Sequence, residues 1–312
     1  MDDPNSHRWQ WALRRIHAPQ AWTLTRGDRN LVVAVVDTGV DADHPELAGR
    51  VLRGYNVVAP HQSSLDDNGH GTAVAGLVAA KGGNSRGFAG VAPDVKILPV
   101  KVNQPGSGNV HARHIAAGIK WAATHGARVI NASVGVVKWE HDLTDDALDE
   151  MSDAIRYAIA HGIVVCVAAG PPMSPIPFPG MWSVLWDFRG LVAVGGTDRH
   201  DHKAGCSPTG NFISVTAPSD GVLTTYPRAH GHLYSTFGGT SAASPHVAGL
   251  AALILSLRPT LHPHEVKAIL PRTADKLGGS DYHPDFGFGR IHCHQALQAA
   301  LEKPAAAFEE GA

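Results

Sequence analysis

Six short apolar runs rich in β-branched residues, near residues 31–36, 95–100, 128–132, 162–168, 191–195 and 212–217, alternate with stretches of helical period near 70–80, 110–124, 144–161 and 240–257. This alternation limits the fold more than any other feature. Runs that are apolar at every position suit strands buried on both faces, and strands joined through helices run parallel. The expected architecture is α/β, a mostly parallel central sheet with helices on both faces. In such sheets ligands gather beyond the carboxyl ends of the strands, so residues that close a strand are the first candidates for chemistry.

Asp37 closes the run Leu31-Val32-Val33-Ala34-Val35-Val36. Alone, it reads equally as a cap for the next turn, since its carboxylate accepts orphan amide protons. His70 stands between glycines in Asn68-Gly69-His70-Gly71-Thr72 and, alone, fits a surface or helix-end position in a chain with 20 histidines. Ser241 follows Gly238-Gly239-Thr240 at the start of a small-residue helix, where a serine is also an ordinary N-cap. Jointly the three are a nucleophile and the means to activate it. A serine hydroxyl needs a base to take its proton, imidazole titrates near neutrality, and a carboxylate holds the imidazole in one tautomer. The helix start also turns the Ser241 N–H toward developing negative charge, which makes it an expected oxyanion donor.

The segments VAVVDTGVDADHPEL around Asp37, NGHGTAVAG around His70 and GGTSAASPHVAG around Ser241 resemble the motifs of the subtilisin-like serine proteases, the subtilases (peptidase S8), in that family's order. The similarity runs from about Trp9 to Ala300, with weaker matches at WALRRIHAPQAW, RVINASVG and FISVTAPSDGVLTTYP. It implies a subtilisin-like fold and a serine endopeptidase acting on a protein or peptide, with no cofactor required for catalysis. By the same resemblance the Thr240 hydroxyl assists the oxyanion hole. Gly106, Ser107 and Gly108 would form the edge that pairs with an extended substrate backbone, a form of strand addition. Ser133, Val134 and Gly135 would wall the pocket for the residue before the scissile bond, together with Ala168, Ala169 and Gly170. Small residues there imply room for medium or large apolar side chains. The resemblance further implies a structural calcium held by Glu46 and Asn84, although Lys81 and Arg86 bring positive charge to that loop.

One departure bears on the chemistry. Relatives place an oxyanion-stabilising asparagine after the Ala-Ala-Gly that ends a buried strand; here the chain reads Ala168-Ala169-Gly170-Pro171-Pro172. Proline donates nothing from side chain or backbone. Loss of that amide costs about 10²- to 10³-fold in turnover in the subtilisin example from which the figure comes. The loop is stiffened further by Pro175, Pro177 and Pro179. Two functions therefore stand side by side: an active endopeptidase, and an impaired homologue that binds peptides.

The remaining features set limits. At 312 residues, with 44% hydrophobic and 17% charged residues, the chain has the makings of one peptidase domain over 26–303, with an N-terminal extension (1–25) packing on it and a short tail (304–312). A net charge of -2 offers no field for nucleic acid and no polybasic membrane patch, and no run is long enough to span a membrane. The first 30 residues carry no signal-peptide pattern and leave no room for a prodomain, which implies a cytoplasmic form or a secreted protein already trimmed. Three cysteines, Cys166, Cys206 and Cys293, suggest reduced thiols. Four His-x-His pairs (200/202, 230/232, 262/264 and 292/294) could bind zinc if they lay on strands, but they fit solvated loop histidines better.

Overall fold

The computed structural model describes residues 10–84, 88–134, 144–172 and 190–302. Its sheet has seven strands, all parallel, in the order β2-β3-β1-β4-β5-β6-β7. These are β1 (Val32–Asp37), β2 (Tyr55–Asn56), β3 (Lys96–Lys101), β4 (Val129–Ala132), β5 (Val164–Ala168), β6 (Leu191–Thr197) and β7 (Val215–Pro218). The chain lays β2 and β3 on one side of β1 and the remaining strands on the other, so the order reverses at β1. Asp37 ends β1, in register with Lys101 of β3.

Both faces of the sheet are covered, which explains why its strands read as unbroken apolar runs. Val33, Val35, Val129 and Cys166 face a core shared with α1 (Trp11–Arg15), α2 (Ala18–Ala21), α3 (His70–Ala79), α6 (Thr240–Leu257), α7 (Pro263–Thr273) and α8 (Cys293–Leu301). Val32, Ala34, Val36, Ile130 and Val165 face α4 (Ala112–Thr124) and α5 (Asp145–Ala160). Leu13, Ile16, Ala18 and Ala21 belong to the first core, so the N-terminal segment from residue 10 is built into the domain. Cys166 and Cys293 are fully buried, no cysteine is in a disulfide, and burial pushes the Cys166 thiol up to about 12. Helix α6 is apolar enough to cross a membrane by composition, but it is mostly buried and serves as the central core helix.

A separate antiparallel hairpin, β8 (Val222–Thr225) and β9 (Tyr234–Phe237), lies against α3. Thr224 and Thr225 donate their hydroxyls to the carbonyls of Ala73 and Thr72, both at 2.6 Å. This close approach requires Gly76, where a Cβ would stand 2.2 Å from Thr225 Oγ1.

Candidate active site

Asp37 ends β1, His70 opens α3 and Ser241 lies in the first turn of α6, and α3 packs against both β1 and α6, which in turn packs against β4 and β5. His70 opens α3 and points its Nδ1 at Asp37 Oδ1, 2.8 Å away. The same Asp37 oxygen accepts the Thr38 N–H at 2.7 Å, while Oδ2 has no hydrogen-bond partner among the described residues. Asp37 is wholly buried and His70 is about a quarter exposed (27%), so the carboxylate is screened by protein and the ring reaches solvent. Burial pulls the His70 pKa down, but the Asp37 charge, its hydrogen bond and the more distant charge of Asp66 outweigh this and raise it above its ordinary value. His246, five residues beyond Ser241 in α6, shows the opposite balance. It is wholly buried without a carboxylate beside it, and it is pushed down to about 4.

Ser241 is the second residue of α6, after a turn in which Gly239 takes φ 88°, a value that favours glycine. Its Oγ donates to the Ser133 carbonyl at 2.8 Å, so in this resting geometry the hydroxyl proton points to the end of β4. As a first-turn amide, the Ser241 N–H has no intrahelical acceptor. The Thr240 hydroxyl donates to the Gly170 carbonyl (3.0 Å) and accepts the Gly170 N–H (3.1 Å). That reciprocal pair clamps the segment after β5 to the start of α6 and uses the Gly170 amide. The next residue, Pro171, is exposed and brings no N–H.

Of the expected substrate contacts, Ser133 touches Ser241, Val134 follows it, and Ala168, Ala169 and Gly170 end β5 beside Thr240. Gly106, Ser107 and Gly108 lie on the other side, with Gly108 close to the Asn68 side chain, two residues before His70. Gly135 lies outside the described residues.

Two residues that shape the site carry no motif of their own. Asp66 is buried (4% exposed); its Oδ1 accepts from the Thr38 hydroxyl and the Asn68 and Gly69 amides, and its Oδ2 accepts from the Thr72 amide and hydroxyl, all at 2.6–3.0 Å. Thr38 Oγ1 in turn accepts the Gly71 N–H at 2.9 Å. One carboxylate thus organises the whole turn that presents His70. The cue in the sequence is an acidic residue ahead of Asn68-Gly69, a turn-initiating arrangement. Phe237, at the end of β9, meets the His70 ring edge to face at 5.1 Å and covers it from the hairpin side.

The calcium expectation brought Glu46 and Asn84 together, and they do meet: Asn84 Nδ2 donates to Glu46 Oε2 at 2.9 Å. The Tyr234 hydroxyl donates to Oε1 at 2.8 Å, so both oxygens of this fully buried carboxylate are satisfied by protons. A cation would have to displace both donors, and Asn84 offers Glu46 its nitrogen, not its oxygen. The described residues therefore fit a hydrogen-bonded carboxylate better than a calcium cage.

Two of the His-x-His pairs correct the expectation of loop histidines. His262 is the N-cap of α7 in a capping box with Glu265, and His292, only 9% exposed, is the N-cap of α8. His292 also lies near His17 and Asp275, a trio with the composition of a metal site. Its Nδ1, however, accepts the Gln295 N–H, which leaves the ring proton of the neutral form on Nε2 and no free lone pair for a metal. The His17 and His292 rings stack flat (3.9 Å, 2°), and Asp275 is paired with Arg290.

Comparison with known proteins agrees with this geometry. The model of the subtilase family (peptidase S8) matches residues 28–289. Thermitase of Thermoactinomyces vulgaris is 36% identical over 299 residues, covering 95% of this chain and 99% of thermitase. Subtilisin DY of Bacillus licheniformis is 39% identical over 275 residues, covering 86% and 91%. The crystal structure of fervidolysin from Fervidobacterium pennivorans superposes with a TM-score of 0.80 at 32% identity, covering 95% of this chain and 46% of that one. The chain belongs to the subtilase family. Its relatives and its fold make it a subtilisin-like serine endopeptidase, a hydrolase of peptide bonds.

Proposed function

We propose that the chain cleaves peptide bonds through an acyl-enzyme on Ser241, with His70 as the proton shuttle and Asp37 as the carboxylate that orients it. The observation that carries this reading is the 2.8 Å bond from His70 Nδ1 to a buried Asp37 at the start of α3, a helix that packs against α6, opened by Thr240 and Ser241, so that the substrate cleft would lie between the two helix starts. That bond fixes the tautomer in which Nε2 is the free base. Ser241 Oγ turns from the Ser133 carbonyl toward Nε2 and gives up its proton as it attacks the substrate carbonyl. Asp37, with one oxygen otherwise unpaired, stabilises the imidazolium. The Ser241 N–H supports the tetrahedral oxyanion, His70 passes its proton to the leaving amine, and water then repeats the sequence on the ester. Thr240 serves this hole as a clamp on Gly170, through the hydrogen bonds it already makes. No step is routed through a metal.

The test is labelling of Ser241 by a fluorophosphonate probe, with Ser241→Ala and His70→Ala as controls, alongside cleavage of an unfolded protein. Labelling and cleavage that both depend on the two residues support the reading. Labelling that survives Ser241→Ala removes it.

Pro171 favours a second reading, a homologue that binds extended peptides with negligible turnover. Labelling without cleavage in the wild type, with cleavage gained in Pro171→Asn, would establish that reading. As to location, a secreted and trimmed form is compatible with these relatives, and the cytoplasmic expectation draws no support from them.

A further inference from the structure

At the end of β3 a lysine is buried where the sheet meets the cleft. Lys101 is 3% exposed, and its Nζ gives its three protons to three acceptors: the Thr38 carbonyl (2.7 Å), Asp67 Oδ1 (2.6 Å) and Asn103 Oδ1 (2.8 Å). A buried ammonium is tolerated when every proton is bonded and a carboxylate balances its charge. Each of the three acceptors leads to a different part of the site. Thr38 adjoins the catalytic Asp37 and receives the hydroxyl-linked network of Asp66. Asp67 precedes His70 by three residues. Asn103 begins the loop that carries Gly106, Ser107 and Gly108.

The same groups hold that loop from inside. Asp67 Oδ2 accepts the Gly106 N–H at 2.9 Å, and Asn103 Nδ2 donates to Asp67 Oδ1 (3.1 Å) and to the carbonyls of Gln104 (3.1 Å) and Ser107 (2.5 Å). Asp67 is thus bonded on one oxygen to the buried cation and on the other to the edge segment, and these bonds hold its carboxyl below the usual range against the opposing effect of burial. Gly106 has φ 70° and open space where a Cβ would stand, and its N–H is held by the Asp67 carboxylate.

We propose that Lys101, Asp67 and Asn103 form a clasp that holds the Gly106–Gly108 edge in register with Asp37 and His70, so that a long substrate paired along this edge delivers its scissile bond to Ser241. The three are positioning residues. The inference rests on the proteolytic reading above and on pairing of the substrate with this edge. The clasp ties the edge that binds the substrate backbone to the buried end of β3, while the base itself is oriented by Asp37 and by the turn that Asp66 holds. Loosening it should therefore hurt substrates in proportion to how far they extend along the edge, while leaving the Ser241 chemistry intact.

The test compares wild type with Asp67→Asn on a peptide having four residues before the scissile bond and on a single-residue ester, together with the rate of fluorophosphonate labelling. Asparagine still offers one oxygen to Lys101 but cannot accept the Gly106 amide and accept from Lys101 through two oxygens. The expected result is KM for the long peptide raised about tenfold, the cost of one charge-assisted bond, with kcat, ester hydrolysis and labelling within about twofold of wild type. Wild-type labelling and cleavage of the ester report the proteolytic reading independently of the clasp. Unchanged KM for the long peptide, or an equal loss on ester and peptide, overturns the clasp. Should Asp67→Asn fail to fold, Asn103→Ala, which leaves the Lys101–Asp67 pair in place, must give the same length-selective loss.

Discussion

On the His70 side of the cleft, Asp66 collects five hydrogen bonds and Lys101 three, and between them they hold the turns that present both His70 and Asp37. On the Ser241 side, the end of β5 is held by one reciprocal pair, Gly170 with Thr240, and then runs into Pro171 and Pro172. On the proposed mechanism the first region directs the proton and the second receives negative charge. The proton path is then over-determined and the charge-receiving wall thin. Catalysis should therefore be fragile to loss on one side and open to gain on the other.

Four measurements break or sharpen that contrast. The largest effect belongs to the dense side: Asp37→Asn keeps the shape but favours the wrong imidazole tautomer, and kcat should fall about 10⁴-fold. Next comes the thin side, where Pro171→Asn should raise kcat by about two orders of magnitude with KM little changed, since the added amide acts on the transition state. No gain would mean that another donor already fills the position. Smaller again is Thr240→Val, which unclamps Gly170 and leaves its half-buried amide and carbonyl without that partner; about tenfold in kcat/KM and about 1 kcal/mol of stability should be lost, read by kinetics and thermal unfolding.

The smallest effect is in pH. Activity should rise as His70 loses its proton, with the midpoint above about 6.5 because the Asp37 charge and hydrogen bond raise its pKa. The folded-state pKa exceeds the unfolded one. The protonated ring therefore stabilises the fold fully below about 6.5, and that contribution fades as pH climbs through the raised value. The stability gap between wild type and His70→Ala should accordingly be wider at pH 5 than at pH 9.

The strands that carry the site were legible because burial on both faces writes itself as continuous Val and Ile. The sequence reading of 31–36 and 191–195 meets β1 and β6 within two residues. The starts of α3 and α6 were legible because glycine turns and small-residue helices announce themselves at His70 and Ser241. Elements lacking such a signature went unread. Helix α7 begins at Pro263 and contains Pro271, and its start is signalled by Pro at the first helical position with Glu265 two residues on. Strand β2 is two residues long, too short for a period, and β8 (Val222-Leu223-Thr224-Thr225) and β9 (Tyr234-Ser235-Thr236-Phe237) carry no continuous apolar run. At the site, Asp66, Asp67 and Lys101 escaped notice because their roles come from a three-dimensional meeting of β1, β3 and the turn before α3. A lysine ending the buried run Ile97-Leu98-Pro99-Val100 was nonetheless a clue, since a charge there demands partners.

The first and last described helices of the chain meet each other. The Cys293 N–H donates to the Ile16 carbonyl at 2.8 Å, and the His17 ring lies flat on His292. For an enzyme that lives among cutters identical to itself, this is a form of armour: the outermost described segments pin one another, and a nick that strips α1 and α2 also unmoors α8. Wear there would then arrive as one abrupt loss of both helical segments and not as gradual erosion.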